Sequence, residues 1–142
     1  MITGIGTDIV EVARFIPWVT KPKYQRSLFT AQEITDCVIP NTPAQYVAER
    51  FAARFAAKEA FYKALTSTLF TLTITPTQSF SIIFTAQCAS VCTGPFGMPM
   101  LQVTWQSLYE KIGQPLPPLN VHLSIAHEKT QALAFVVISL QS

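Results

Sequence analysis

The clearest hydrophobic pattern in the chain is a stripe of alanines that recurs every four residues within Pro43–Leu65. This spacing keeps side chains on one face of an α-helix, and small residues there let another element approach closely. Arg50, Arg54 and Lys58 share the spacing and form a second, cationic stripe. The pattern therefore predicts a long helix over Pro43–Leu65, with Thr42 as its N-cap and the proline after it in the first turn.

Before this helix, the pattern predicts a strand followed by short helices. Met1–Val10 is strand-like, and its two glycines indicate a close backbone approach or a bulge. Glu11–Val19 is typical of a short helix stopped by prolines. Thr30, followed three residues later by Glu33, predicts a capping box at the start of another helix.

After Leu65 the pattern changes mainly to strands, because apolar residues alternate with polar ones in short runs bounded by turn residues. Strands are predicted at Leu69–Thr75, Phe80–Val91, Met100–Thr104, Leu119–Ile125 and Leu133–Leu140. A turn is predicted at Gly94–Pro99, and a helix at Trp105–Ile112 that ends at Gly113. Helices early and strands late favour an α+β fold over a parallel α/β sheet.

Composition narrows the class of protein. The 142 residues are expected to form a single domain, residues 1–142. A net charge of +2 is too small to argue for nucleic acid, and no window is apolar enough for a membrane span. The first residues lack the basic region of a signal peptide. Cys37, Cys88 and Cys92 form no even framework and no C-x-x-C pair, so we expect free thiols in a reducing cytoplasm.

Charge is distributed unevenly along the chain. Eight of the ten Lys and Arg residues lie between Arg14 and Lys63, and no residue from Ala64 to Tyr109 is charged. Strands without edge charges must be covered, by the chain itself or by other subunits. The uncharged segment therefore suggests a homo-oligomer.

The residues suited to chemistry are a few carboxylates, cations and histidines. Glu59 is a carboxylate among the helix cations, which suits a metal bridged to a phosphate, or alternatively a surface helix with ordinary salt bridges. Asp8 is either a second metal ligand or a strand-end residue that caps the next helix. His122 and His127 fall in one stretch, residues 122–128, where strand alternation would place His127 on the face opposite His122 or in the turn beyond the strand.

A basic cluster lies near the N-terminus and has two interpretations. It is either a solvated helix face or a docking site for an acidic partner. Spacing alone does not separate these alternatives. The cluster consists of Arg14, Lys21, Lys23 and Arg26.

Three segments together resemble the signature blocks of a known family. GIGTDIVE (residues 4–11), RFAAKEAFYKAL (54–65) and HLSIAHE (122–128) look like those of the holo-[acyl-carrier-protein] synthases, the small AcpS-type 4′-phosphopantetheinyl transferases. The blocks occur in the family's order and at nearly its spacing. Weaker likeness, including Gly97-x-Pro99 as the family's late turn, links them along most of the chain.

The resemblance implies a fold, an assembly and a reaction. The fold would be the small phosphopantetheinyl transferase fold, an antiparallel sheet packed against a long helix, and family members are trimers with active sites between subunits. The reaction would transfer the 4′-phosphopantetheine group of coenzyme A to a serine of an apo acyl carrier protein, in fatty acid biosynthesis. Adenosine 3′,5′-bisphosphate would be released.

Matching by position also implies roles for individual residues. Asp8 and Glu59 would hold Mg²⁺ and, with Lys63, would be catalytic. The side chains that contact the coenzyme A phosphates would be Arg54, Lys58, Lys63 and His127. A base must take the serine proton, and Glu33 and a metal-bound water are the candidates. The family's carrier proteins are acidic, which favours the docking interpretation of Arg14, Lys21, Lys23 and Arg26.

The chain departs from the family after the middle block. The family usually has a glycine-rich loop there, whereas this chain has Thr66–Thr71. The departure leaves an alternative function open: a non-catalytic module that binds coenzyme A or a carrier protein on the same scaffold. Because the implied metal and phosphate residues are all present, the sequence favours an active enzyme.

Overall fold

The computed structural model describes residues 1–142 and has the α+β fold that the sequence predicts. The strands are β1 (Ile2–Glu11), β2 (Ala89–Thr93), β3 (Pro99–Val103), β4 (Leu119–His127) and β5 (Gln131–Leu140). The α-helices are α1 (Pro22–Leu28), α2 (Ala31–Cys37), α3 (Ala44–Thr71), α4 (Ile82–Cys88) and α5 (Trp105–Ile112), with 3₁₀ helices at Val12–Thr20 and Pro95–Gly97. None of these helices has both the length and the apolar character needed to cross a bilayer.

The strands form two separate antiparallel sheets. One has the order β1-β5-β4, and the other is the β2–β3 hairpin alone. Register in the larger sheet places Asp8 opposite Ala134 and His127 opposite Ala132. Asp8 and His127 therefore stand on two strands separated by β5.

Helix α3 packs on the larger sheet through its alanine stripe, as the sequence predicts. All five alanines of the stripe are fully buried: Ala48, Ala52, Ala56, Ala60 and Ala64. A Cβ added at Gly4 would collide with the Ala64 carbonyl oxygen, and one added at Gly6 with the Ala60 carbonyl oxygen. Glycine is required at both positions because the two backbones touch, which confirms the expected close approach.

Helix α3 is longer than predicted, and two predicted strands are wrong. Residues Leu69–Thr71 continue α3 instead of starting a strand, and much of Phe80–Val91 is the helix α4. The Ser81 side chain caps α4 by accepting a hydrogen bond from the Phe84 backbone N–H. The start of α3 also differs by one residue, because Pro43 occupies the N-cap position.

The face of the larger sheet that points away from α3 is apolar and exposed. Ile5 and Ile9 on β1 are 51% and 59% exposed, and Leu133 and Phe135 on β5 are 43% and 44% exposed. Large apolar side chains clustered on one sheet face usually mark an interaction surface. We call these four residues the outer sheet face.

Candidate active site

Asp8 and Lys63 meet across the contact between β1 and α3. The Lys63 Nζ atom lies 3.0 Å from Asp8 Oδ1 and donates a second hydrogen bond to the Thr7 carbonyl oxygen. The Asp8 side chain is 11% exposed and the Lys63 side chain 46% exposed. The glycines of β1 make this pairing possible, because Gly4 and Gly6 let the strand lie directly against the backbone of α3.

Glu59 lies one helical turn before Lys63, on the same face of α3. Gly4 contacts α3 at Ala64 and Gly6 contacts it at Ala60. Two strand residues thus advance about one helical turn. Glu59 precedes Lys63 by four residues, so the two side chains lie on one face of α3, and Lys63 contacts Asp8. Glu59 is half-buried and takes part in none of the ion pairs of the structure. Its carboxylate is therefore available to a ligand.

The carboxylates of Asp8 and Glu59 suit a hard divalent cation whose remaining ligands come from water or from a substrate. No group of three or more His, Cys, Asp or Glu side chains is arranged to hold a metal. Mg²⁺ is bound in many sites by one or two carboxylates, with phosphate oxygens and water completing its shell. Asp8 and Glu59 supply that number of carboxylates, and a closed structural zinc site would need more ligands.

Arg54 and His127 line a second feature, a cleft of about 350 Å³ between α3, the end of β4 and the β2–β3 hairpin. The Arg54 Nε atom is buried and has no hydrogen-bond partner, and its NH1 atom reaches only the Arg50 carbonyl oxygen, at 3.3 Å. An unpaired buried donor is costly, so a guanidinium with spare donors favours an anionic ligand in this cleft.

His127 lies at the open side of the same cleft. Its side chain is 46% exposed, and its Nδ1 atom is 3.9 Å from Oε2 of Glu49 on α3. That distance is too long for a hydrogen bond, so the imidazole keeps both nitrogens available for a ligand. Two residues that the sequence assigned to phosphate binding thus share one cleft.

The cleft and the carboxylate cluster lie on different sides of α3. Each helical residue turns the backbone by about 100°, so Glu59 points about 140° away from Arg54, and Lys63 about 180° away. The body of the helix separates the two groups within one chain. We call the Asp8, Glu59 and Lys63 group the carboxylate cluster, and the Arg54 and His127 group the cationic cleft.

The structure contradicts the prediction that Lys58 contacts a phosphate. Its side chain is 1% exposed, and its Nζ atom lies 2.7 Å from Glu33 Oε1 and 2.5 Å from the carbonyl oxygens of Ala86 and Ala89. All three ammonium donors therefore have partners inside the protein. Burial lowers the pKa of Lys58, and the neighbouring Glu33 carboxylate opposes this shift.

Glu33 is also wrong as a candidate base. It is fully buried, pairs with Lys58 and accepts a hydrogen bond from the Val91 backbone N–H. It also completes the predicted capping box with Thr30. A carboxylate so enclosed has no path to a substrate hydroxyl, so its role is internal.

The basic cluster is exposed, as both of its interpretations require. Arg14 belongs to the 3₁₀ helix that follows β1, and its guanidinium lies over the Phe55 ring. Lys21, Lys23 and Arg26 lie at or within α1. The four cations therefore lie on or between two neighbouring elements.

Sequence reasoning missed the hairpin wall of the cationic cleft. Cys92 and Thr93 on β2, with Gly97 and Pro99 at the turn, line the cleft opposite Arg54. The likeness of Gly97-x-Pro99 to the family's late turn was the available signal, but it carried no chemistry. These residues bring backbone and small polar groups, which do not stand out in a sequence.

Comparison with known proteins agrees with the resemblance. The profile of the 4′-phosphopantetheinyl transferase superfamily matches residues 4–96. The holo-[acyl-carrier-protein] synthase of Treponema pallidum subsp. pallidum is 33% identical over 140 residues, which cover 97% of this chain and 96% of that protein. The corresponding protein of Treponema denticola is 35% identical over 142 residues, which cover 97% and 98%.

The fold is similar to a solved structure from the same group. The crystal structure of a holo-(acyl-carrier-protein) synthase from Bacillus anthracis in complex with CoA (3′,5′-ADP) superposes with a TM-score of 0.70 and 27% identity. The match covers 99% of each chain. The sequence comparisons and the structural comparison thus identify the same group of proteins, over essentially the whole length of this chain.

Proposed function

Because the chain belongs to the 4′-phosphopantetheinyl transferase superfamily, among its holo-[acyl-carrier-protein] synthases, we infer that it carries out the reaction of that family. It transfers the 4′-phosphopantetheine group of coenzyme A to a serine of apo acyl carrier protein. The serine oxygen forms a bond to the phosphorus that carries pantetheine, and the bond from that phosphorus to the bridging oxygen breaks. Adenosine 3′,5′-bisphosphate leaves with the bridging oxygen.

The observation that carries the assignment of the site is the Asp8–Lys63 pair. These residues lie 55 positions apart in the chain, yet their charged atoms are 3.0 Å apart, and the unpaired Glu59 lies one helical turn from Lys63. An isolated structural ion pair at a partly exposed site contributes little to stability. This pair, together with a second, unpaired carboxylate, is better explained as a site for a cation and a phosphate.

We propose that Asp8 and Glu59 hold Mg²⁺ during the reaction. The metal would neutralise charge on the pyrophosphate oxygens of coenzyme A. Asp8 is already oriented by Lys63, and Glu59 has no competing partner. Lys63 is exposed enough to turn from Asp8 towards a phosphate that enters the cluster, where its ammonium would stabilise the leaving oxygen.

The cationic cleft would hold the remaining phosphates. Arg54 has unpaired donors, which suit bidentate recognition of a phosphate. His127 would add a donor from the open side of the cleft. Fixing the nucleotide at a distance from the reacting phosphorus orients the phosphoryl group for in-line attack.

We further propose that the carboxylate cluster and the cationic cleft combine across subunits of a homotrimer. Within one chain α3 separates them, by the angles given above, so one coenzyme A would have to use a cluster from one copy and a cleft from another. The outer sheet face, with Ile5 and Phe135, offers an apolar surface for such an assembly. The trimer itself rests on the family resemblance.

The basic cluster would dock the acidic carrier protein. Its four cations are exposed on the 3₁₀ helix and α1, and positions 12 to 28 contain no acidic residue. Charge complementarity of this kind raises the rate of encounter. The three free cysteines support action in a reducing compartment, which we take to be the cytoplasm.

The experiment that tests the proposal is intact-mass spectrometry of an apo acyl carrier protein incubated with this protein, coenzyme A and Mg²⁺. We expect the carrier to gain the mass of one phosphopantetheine, and we expect no gain when a chelator is present. The carrier is first shown to be competent with another synthase. No gain on that verified carrier, together with retained binding of coenzyme A, would favour the non-catalytic binding module instead.

A further inference from the structure

Behind the cationic cleft lies a buried ion pair that the reaction does not use directly. Lys58 Nζ and Glu33 Oε1 are 2.7 Å apart, and the side chains are 1% and 0% exposed. Burying two charges costs free energy, and an apolar pair of similar size would often be at least as stable. The pair therefore calls for an explanation other than stability.

The bonds of this ion pair converge on one strand, β2. The Lys58 ammonium donates to the carbonyl oxygens of Ala86, in the last turn of α4, and Ala89, the first residue of β2. Glu33 Oε2 accepts from the backbone N–H of Val91, at 3.0 Å. The hydroxyl groups of Thr30 and Ser90 are also hydrogen-bonded to each other. Three consecutive residues of β2 are thus fixed to α2 and α3.

The hairpin that β2 forms with β3 has no other sheet partner. The larger sheet contains only β1, β5 and β4, so no ladder of backbone hydrogen bonds connects it to the hairpin. A two-stranded ribbon is at best marginally stable alone, and its position depends on what it packs against. The hairpin nevertheless forms the wall of the cationic cleft through Cys92, Thr93 and Pro99.

We propose that Lys58 and Glu33 are positioning residues, which hold the β2–β3 hairpin against α3 so that the cationic cleft has the shape to bind a nucleoside bisphosphate. Neither residue touches the ligand, because both are enclosed. They act through the backbone of β2. The proposal rests on the proposed function, which assigns the cleft to the phosphates of coenzyme A.

The test is a double-mutant cycle read by the affinity for adenosine 3′,5′-bisphosphate, measured by calorimetry on the full chain. We expect Glu33→Gln and Lys58→Met each to weaken binding about tenfold, and the double variant to bind no more weakly than the weaker single variant, because both changes disable one device. A direct phosphate contact by Lys58 predicts instead that Glu33→Gln binds normally. Glu33→Gln retains the side-chain shape and is the decisive variant if Lys58→Met does not fold.

A second readout separates positioning from general loss of stability. Cys92 is the only one of the three thiols that is not buried, and it lies in the cleft wall. We expect its reaction with a thiol reagent to become several-fold faster in Glu33→Gln, because the wall is released. Leu108→Ala, a core change on α5, is the matched control: it destabilises the protein but should leave both Cys92 reactivity and bisphosphate affinity unchanged.

The outcomes distinguish this inference from the proposed function. Arg54→Ala leaves the ion pair intact and removes the phosphate contact. If Arg54→Ala binds the bisphosphate normally, the assignment of the cleft fails. If Arg54→Ala weakens binding while Glu33→Gln binds normally with unchanged Cys92 reactivity, the cleft assignment stands and the positioning role is overturned.

Discussion

Lys58 and Lys63 show how rotation around one helix separates residues that look alike in the sequence. Both are lysines of α3, five positions apart in one motif, and the sequence assigned both to phosphates. The structure buries Lys58 at 1% exposure and leaves Lys63 46% exposed. Helical spacing predicts the angle between them but not which direction the rest of the chain covers. The covered side is set by α2, α4 and β2, which lie outside α3 in the sequence and enclose Lys58 in the fold.

At the residue scale, the first prediction concerns Glu59. Glu59→Gln should lower the rate of phosphopantetheine transfer at saturating coenzyme A by about a hundredfold or more, because a metal ligand is lost. Folding should be unaffected, since Glu59 has no ion-pair partner in the structure. Transfer is measured by carrier mass and stability by thermal unfolding.

Glu110→Gln on α5 is the matched control for Glu59→Gln, because it neutralises an exposed carboxylate outside the site. It should transfer at the normal rate. Near-normal turnover by Glu59→Gln at saturating Mg²⁺ would remove Glu59 from the metal site.

A second residue-scale prediction follows from Cys37. Burial raises the pKa of its thiol from 9.0 to about 12, against the opposing effect of the nearby Arg54. The folded state therefore holds this proton more tightly than the unfolded state. The stability that results is fully present below pH 9 and is lost as pH rises towards 12, with a slope of about 1.4 kcal/mol per pH unit within that window.

The measurement is the free energy of unfolding in denaturant at several pH values, for the wild type and Cys37→Ala. The variant has a cavity cost that does not depend on pH, so only the slopes are compared. Above pH 9 the wild type should lose stability more steeply than the variant. Equal slopes would show that the thiol ionises without unfolding.

At the scale of elements, sequence patterns within one helix or turn predicted the helices and caps that depend only on neighbouring residues. Three predictions were confirmed because each depends only on residues close together in the sequence. They are the alanine stripe, the Thr30–Glu33 capping box and the boundaries of α5. The strand predicted over Phe80–Val91 was wrong because its apolar residues suit either state, and burial of Thr85 and Ala86 on a short helix decided between them. The Ser81 cap was a readable signal that the strand prediction overlooked.

The candidate site likewise had a part that the sequence could predict and a part that it could not. Asp8, Glu59, Lys63, Arg54 and His127 could be named from motifs, and the structure brings them into two groups. The hairpin wall and the buried role of Lys58 could not be named, because both depend on the placement of β2 against α3. The glycines of β1 and the alanines of α3 indicated their own contact, but no pattern in the sequence indicated the contact between β2 and α3.

The element-scale prediction tests the contact between β1 and α3. Gly6→Ala should destabilise the protein by about 2–3 kcal/mol, because the added Cβ meets the α3 backbone at Ala60, which has nowhere to move. Gly94→Ala is the control: its φ is −89°, and its Cβ would meet mainly the flexible Met100 side chain, so its cost should stay below about 1 kcal/mol. Denaturant unfolding measures both, and equal costs would contradict the close approach.

At the scale of the whole molecule, the proposed trimer would combine two incomplete sites and cover one exposed apolar face. The carboxylate cluster contains a single cation, Lys63, which pairs with Asp8, and the cationic cleft lacks the metal carboxylates. The outer sheet face supplies a surface through which copies could associate. A ring of identical copies lets each cluster meet the cleft of a neighbour, so the number of complete sites equals the number of subunits.

Subunit mixing tests this arrangement directly. Glu59→Gln disables only the cluster, and Arg54→Ala disables only the cleft. If each site takes its cluster from one copy and its cleft from another, an equal mixture allowed to exchange should contain roughly one quarter wild-type sites, and transfer should recover to about that fraction. If both parts of a site come from one chain, every site in the mixture carries a defect, and the mixture stays as inactive as its two components. Mixing Glu59→Gln with Asp8→Asn, both in the cluster, should restore nothing under either arrangement, which makes recovery in the first mixture specific to sites shared between subunits.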